Sequence, residues 1–225
     1  EGEQPWSLSS LRRWKQVYES IGVELSVIEG RPPMERIKLG LPGRDEEIEV
    51  ICRMLRNMGE LGIPVWCSMW SAVLGVVRTD RNLPSRAGAR VSGFSRVQLE
   101  DTPTEHGVIS EEELWDNLQY FLERVVPVAE EADVKMAMHP DDPPVSPLRG
   151  VSRIMSSIDN YQRLIDMVPS PMNGIGLCQG NFALMTDDLP GAIRHFGAQG
   201  KIHFVHFRDI RGTATDFREP FHDDG

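Results

Sequence analysis

The sequence predicts an α/β fold built on a parallel sheet. Two observations carry this reading. Short apolar runs of strand type alternate with segments of helical period along the whole chain, which is the pattern of strands joined by helical crossovers. The composition, 40% apolar and 26% charged over 225 residues, is that of a globular chain able to bury a sizeable core.

The elements follow in order. A helix is expected from Ser7 as N-cap, with Leu8, Leu11, Trp14 and Val17 or Tyr18 at helical spacing, as far as Gly22. Residues 23–28 read as a short strand. A second helix begins near Asp45, with acids in its first turn and Ile48, Ile51, Leu55 and Met58 on one stripe, and ends at about Gly62. Residues 63–69 read as a strand. Residues 78–109 carry Gly, Pro, Ser and charges without a period, and are expected to form a long loop. Ser110 with Glu113 makes a capping box for a long helix through Leu114, Leu118, Phe121, Val125 and Ala129, which Pro127 is expected to kink or divide. Residues 134–139 form a strand and are followed by a Pro-bounded loop at 140–144. A helix fits 159–168, a strand 174–178, and Asp187, Asp188 and Pro190 open another helix. The last expected strand covers 202–207. No linker divides the chain, so residues 1–225 read as one domain.

An open doubly wound sheet and a closed (β/α)8 barrel both fit this alternation. The first usually carries a glycine-rich phosphate turn, and neither G-x-G-x-x-G nor G-x-x-x-x-G-K-[ST] is present. In a barrel, chemistry gathers at the C-terminal ends of several strands. That pattern is visible here. His139 ends one strand, Cys178 ends the next, and His206 lies near the end of the third. Alternation puts Lys135, Ala137 and His139 on one face of their strand, and likewise Ile202, Phe204, His206 and Arg208 on one face of theirs. It turns His203 toward the helical layer, so His206 is preferred as a ligand.

Taken singly, each has a plainer reading. A lone strand histidine is commonly a hydrogen-bonded core or rim residue. A lone cysteine is commonly a small buried hydrophobe, as Cys52 and Cys67 are read here. Three ligand types at consecutive strand ends point instead to a metal centre. Mixed imidazole and thiolate ligands suit zinc, iron or manganese alike.

Other polar groups gather at the same end. Asp141 and Asp142 form a turn or support the ligands, and Asn181 caps a helix or meets substrate. Arg208 and Arg78 offer planar forks suited to a carboxylate. His222, with Asp223 and Asp224, lies in the final polar segment.

The net charge of -10 argues against a nucleic-acid partner, and no apolar run approaches a membrane span of roughly 18 to 20 residues. The Arg12, Arg13 and Lys15 cluster reads as the solvated side of a helix. The chain opens on polar residues without a secretory signal, and its three widely spaced cysteines form no disulfide framework. Cytoplasm is the expected compartment. A homo-oligomer is allowed by the sequence but not specified by it.

On these residues the chain resembles the mannonate dehydratase family. The runs that carry the likeness are His139-Pro-Asp-Asp-Pro-Pro, Cys178-Gln-Gly-Asn, His206-Phe-Arg-Asp and Phe221-His-Asp-Asp-Gly, with Ile37-Lys-Leu-Gly and Arg78-Thr-Asp as less specific support. It extends from about Trp6 to Gly225. The resemblance implies a xylose-isomerase-like TIM barrel holding one divalent Mn2+ or Fe2+. It implies a lyase that removes water from D-mannonate, giving 2-dehydro-3-deoxy-D-gluconate in hexuronate (glucuronate) breakdown. On it, His139, Cys178 and His206 match the metal ligands. Arg208 and His222 become catalytic candidates, and Arg78, Asp141, Asn181 and Asp209 candidate contacts to a sugar acid. Asp209 stands where many members have Asn, and residues 69–77 diverge from the best-known members.

A closed barrel needs eight strands, and five are counted here. By resemblance, two strands precede Glu1 and one follows Gly225, so the chain reads as an internal fragment. That last strand brings a fourth ligand, an Asp, and a histidine at the site. Two other readings remain: a metal-dependent sugar isomerase or epimerase on the same scaffold, and a non-catalytic sugar-acid-binding homologue.

Overall fold

The computed structural model describes residues 3–30 and 32–222. Helix α1 (Leu8–Ser20) starts where Ser7 accepts the Ser10 N–H at 3.2 Å, and the chain leaves it through Gly22 at φ +77°. Only Ser10 and Leu11 of this helix are buried, and Trp14 stays 53% exposed. Strand β1 (Val27–Ile28) is shorter than the expected 23–28, because only these two residues find a partner strand. The short α2 (Glu35–Lys38) leads to α3 (Arg44–Glu60). Its first turn holds Asp45, Glu46 and Glu47, and its buried stripe includes Ile48, Ile51, Cys52, Leu55 and Met58. Strand β2 (Val65–Met69) follows, buried along its whole length.

The segment expected to be an aperiodic loop folds into two strands, β3 (Asp80–Pro84) and β4 (Arg90–Ser95). Helix α4 (Glu111–Glu131) opens with the expected capping box and runs unbroken across Pro127. Its flanking residues Val125, Val126 and Ala129 are buried and hold it on the core on both sides of the proline. Then come β5 (Lys135–His139), α5 (Ile158–Met167), β6 (Asn173–Cys178), α6 (Gln179–Ala183), α7 (Leu189–Ala198) and β7 (Ile202–His206). Asp188 caps α7 by accepting the Gly191 N–H at 2.8 Å. Two further strands lie beyond the last one expected: β8 (Arg211–Thr213) and β9 (Asp216–Arg218).

Two sheets result. The first is parallel, in the order β1-β2-β5-β6-β7, and supplies the five strands anticipated for it. It curls into a half barrel: Glu29, just past edge strand β1, reaches His206 at the end of edge strand β7, 3.1 Å away. Met136, Met138, Ile175 and Leu177 face the helices in the main core, while Val65, Cys67 and Ala137 form the concave interior with Val27 and Phe204. The second sheet is antiparallel, in the order β3-β4-β9-β8, and packs through Phe94, Leu148 and Phe217.

One side-chain assignment changes. The β6–β7 register slips by one residue between Ile175↔Ile202 and Gly176↔Phe204. This bulge breaks strict alternation. Ile202 therefore packs with the helix-side core while Phe204 packs in the interior, although both were expected on one face. His203 leans over Gly174 on the concave side, not toward the helices, with Nδ1 3.1 Å from the Met136 carbonyl. It lies three residues below His206, roughly 10 Å along the strand at 3.3 Å per residue. The reason for preferring His206 thus shifts from face to height.

Candidate metal centre

The three strand-end residues meet at the C-terminal end of the parallel sheet. Met69 is in register with His139, and Cys178 with His206, while Met138 pairs with Ile175, which sets Cys178 two residues beyond the level of His139. The His139, Cys178 and His206 ligand atoms all lie within 4.8 Å of one another. His139 and Cys178 are buried and His206 is half-buried.

Each imidazole is oriented by its other nitrogen. His139 Nδ1 lies 2.8 Å from the Pro140 carbonyl, which leaves Nε2 facing the centre. His206 Nε2 lies 3.1 Å from Glu29 Oε2, which turns Nδ1 inward to 3.1 Å from His139 Nε2. Hydrogen bonding to Cys178 and to Glu29 outweighs partial burial and raises the His206 pKa to about 9. Burial pushes the Cys178 thiol up, but hydrogen bonds from His139 and His206, with the charges of His139 and Arg208, prevail and bring it to about 5. These shifts favour an imidazolium–thiolate pair of His206 and Cys178 in the absence of metal. Two nitrogens and a sulfur at this spacing suit one divalent ion, since metal–ligand bonds of roughly 2.0–2.3 Å bridge such a gap.

Around the ligands runs a polar network. Arg208 Nη1 lies 3.5 Å from the Cys178 sulfur and 3.1 Å from Asp142 Oδ2, and also donates to Asn181 Oδ1. Asn181 is fully buried; its Oδ1 stands 3.6 Å from the sulfur and its Nδ2 donates to the Asp141 carbonyl at 2.9 Å. Arg78 grips both oxygens of Asp142 at 2.7 Å and reaches Glu219 Oε1 at 2.6 Å. Arg208 Nη2 also meets Glu219 Oε1, closing a ring of two arginines and two acids. Burial pushes the Asp142 carboxyl up, but the Arg78 hydrogen bonds and the Arg208 and Arg78 charges hold it below the usual range.

The remaining candidates are placed as follows. Asp141 is buried, accepting from the Ser71 hydroxyl and from Met155 N at 2.9 Å, with Arg153 Nε 3.6 Å away. These bonds explain how residues 140–144 can form a buried loop, since buried polar groups need partners. Asp209 is half-buried at the rim and accepts the Ile210 N–H at 2.8 Å. His222 is exposed and lies against Phe207, ring centroids 4.8 Å apart. Asp223 and Asp224 lie outside the described residues. Cys52 is buried on α3 and Cys67 in the interior cluster.

Sequence reasoning missed Glu29 and Glu219. Glu29 follows a strand end, the position that revealed the other three, and the same rule reaches it. Glu219 follows a three-residue strand that left no pattern to read.

The family model for D-mannonate dehydratase (UxuA) matches residues 1–109 and 104–225. The chain belongs to the mannonate dehydratase family. It is similar to the mannonate dehydratase of Thermotoga neapolitana, 36% identical over 96% of this chain and 69% of that protein. It is likewise similar to mannonate dehydratase 2 of Halalkalibacterium halodurans, 38% identical over 96% of this chain and 70% of that protein. Among solved structures it matches the mannonate dehydratase of Streptococcus suis serotype 2 with a TM-score of 0.89 and 35% identity, covering 96% of this chain. The chain spans 64% of the length of that structure. A D-tagatose 3-epimerase-like protein, at 16% identity and a TM-score of 0.61, shares the fold alone. The family and these neighbours identify the curled sheet as a TIM-barrel, xylose-isomerase-like fold. No helix among the described residues is long and apolar enough to cross a membrane.

Proposed function

We propose that this chain carries the metal-bearing part of a D-mannonate dehydratase that removes water from D-mannonate to give 2-dehydro-3-deoxy-D-gluconate in the cytoplasm. The observation that supports it most is the convergence of His139, Cys178 and His206 within 4.8 Å at the catalytic end of a barrel-type sheet. Mn2+ or Fe2+ is the proposed ion, bound by His139 Nε2, His206 Nδ1 and the Cys178 thiolate. When bound, it supplies Lewis-acid stabilisation of the negative charge that develops as the C2 proton leaves beside the substrate carboxylate.

The chain's own residues supply the rest. Arg208 places a fixed positive charge at the sulfur and stabilises negative charge nearby. Asn181 and Asp209 are proposed as polar contacts to the sugar acid. Arg78 and Asp141 spend their charges inside the protein, so their contribution to binding is to hold the loops that surround the substrate. His222, exposed at the rim, is proposed for proton transfer.

Stripping the protein with a chelator should abolish turnover of D-mannonate, and Mn2+ or Fe2+ should restore it, with a 2-keto-3-deoxy acid as product. Undiminished turnover by thoroughly metal-free protein would sink the proposal. A product isomeric with D-mannonate would point to an isomerase or epimerase instead.

A further inference from the structure

Glu219 reaches the surroundings of the metal centre from the antiparallel sheet, directly after β9. Its side chain is held from every side. Oε1 accepts from Arg78 Nη2 at 2.6 Å and forms an ion pair with Arg208 Nη2, while Oε2 accepts from the Ser92 hydroxyl. Its backbone N–H donates to the Ser92 carbonyl at 2.9 Å. Ser92 belongs to β4, the strand paired with β9, so sheet register fixes where this carboxylate stands.

We propose that Glu219 is a positioning residue of the metal centre, holding Arg208 so that Nη1 points at the Cys178 sulfur. The inference rests on reading His139, Cys178 and His206 as metal ligands. A guanidinium is planar and rigid, so fixing Nη2 on Glu219 fixes the direction of Nη1. Nη1 then meets Asp142, Asn181 and the sulfur together. The other end of the side chain is confined as well: a Cβ at residue 180 would lie 3.3 Å from Arg208 Cγ, so the arginine stem crosses Gly180 closely. Stem and fork are both held, and the fork is held from the small sheet. On this reading the small sheet is part of the metal site, although it offers no ligand.

The test uses cobalt(II) as the probe ion in the full chain. It reads binding affinity and the position of the thiolate-to-cobalt charge-transfer band. Arg208→Ala and Glu219→Ala should each weaken cobalt binding about tenfold or more and shift the band in the same direction, as loss of support around a ligand does. The double variant should be no worse than Arg208→Ala alone, because Glu219 acts through Arg208. Ser92→Ala, which removes only the hydroxyl at Oε2, should give a smaller shift of the same sign. It serves as the test if Glu219→Ala fails to fold. Additive losses, or Glu219 and Ser92 variants with the parental band and affinity, would overturn this inference and leave the centre standing. Failure of the parent protein to take up cobalt would overturn both.

Discussion

The two sheets of this protein divide the work unequally. The parallel sheet is buried and regular: every residue of β2 and of β6 is buried, and its strand ends carry the three ligands. The antiparallel sheet is short and wet: all of β8 is exposed, and its apolar packing depends on Phe94, Leu148 and Phe217. Its Glu219 nevertheless completes the ionic ring that includes Arg208. The difference teaches that ligand atoms and their orientation come from different parts of the chain. Long buried strands place the donors, and a marginal sheet helps to aim the charge beside them.

That division can be broken most sharply at the ligands. Cys178→Ser should reduce retention of a divalent metal by about 100-fold or more, above the usual cost of losing a supporting residue. Cys67→Ser, one layer into the interior, should change it little; equal effects by metal analysis would mean the wrong sulfur was chosen. Arg78→Ala should destabilise the fold by about 3–5 kcal/mol in denaturant titration, because it leaves Asp142 buried without its bidentate partner. Phe217→Ala should cost about 3 kcal/mol, with the early loss of amide protection confined to the small sheet.

The pH dependence of the metal-free protein tests the parallel side. The Cys178 thiolate contributes stability that is full above its ordinary pKa of 9.0 and is lost as pH falls through about 5. The His206 imidazolium contributes stability that is full below 6.5 and is lost as pH rises through about 9. Between 6.5 and 9 the two slopes cancel, and between 5 and 6.5 only the thiolate slope remains. Melting temperatures of chelator-treated protein, relative to Cys178→Ser, should therefore be level above 6.5 and fall toward pH 5. The smallest effect is expected at Ser110→Ala, about 1 kcal/mol from loss of the α4 N-cap, with metal affinity unchanged.

The same division governs what could be read in advance. Strands β2, β5 and β6 and their terminal residues were legible because buried parallel strands are short apolar runs bounded by polar turns. Helices α3 and α4 declared themselves through acidic first turns and, for α4, a capping box. The antiparallel sheet was not legible. Phe94 pairs with Phe217 across most of the chain, and three-residue strands show no alternation that a scan can detect. The face of His203 was misjudged because a bulge depends on the neighbouring strand, which local sequence does not contain. Arg208 was visible as an arginine near a ligand, but not its partners, since Asp142 and Glu219 approach it from two separate segments.

The bulge also bears on how this strand can change over generations. Cys178 meets His206 only because one extra residue is absorbed below them. Losing one residue between Phe204 and His206 would move the imidazole into the place of Val205, which is 48% exposed. Straightening the bulge without losing a residue would shift the ladder the other way and set Val205 opposite Cys178. Length changes above the bulge are therefore tolerable only in compensated pairs, so insertions and deletions in this lineage should accumulate in the connecting loops and leave the segment from Phe204 to His206 at constant length.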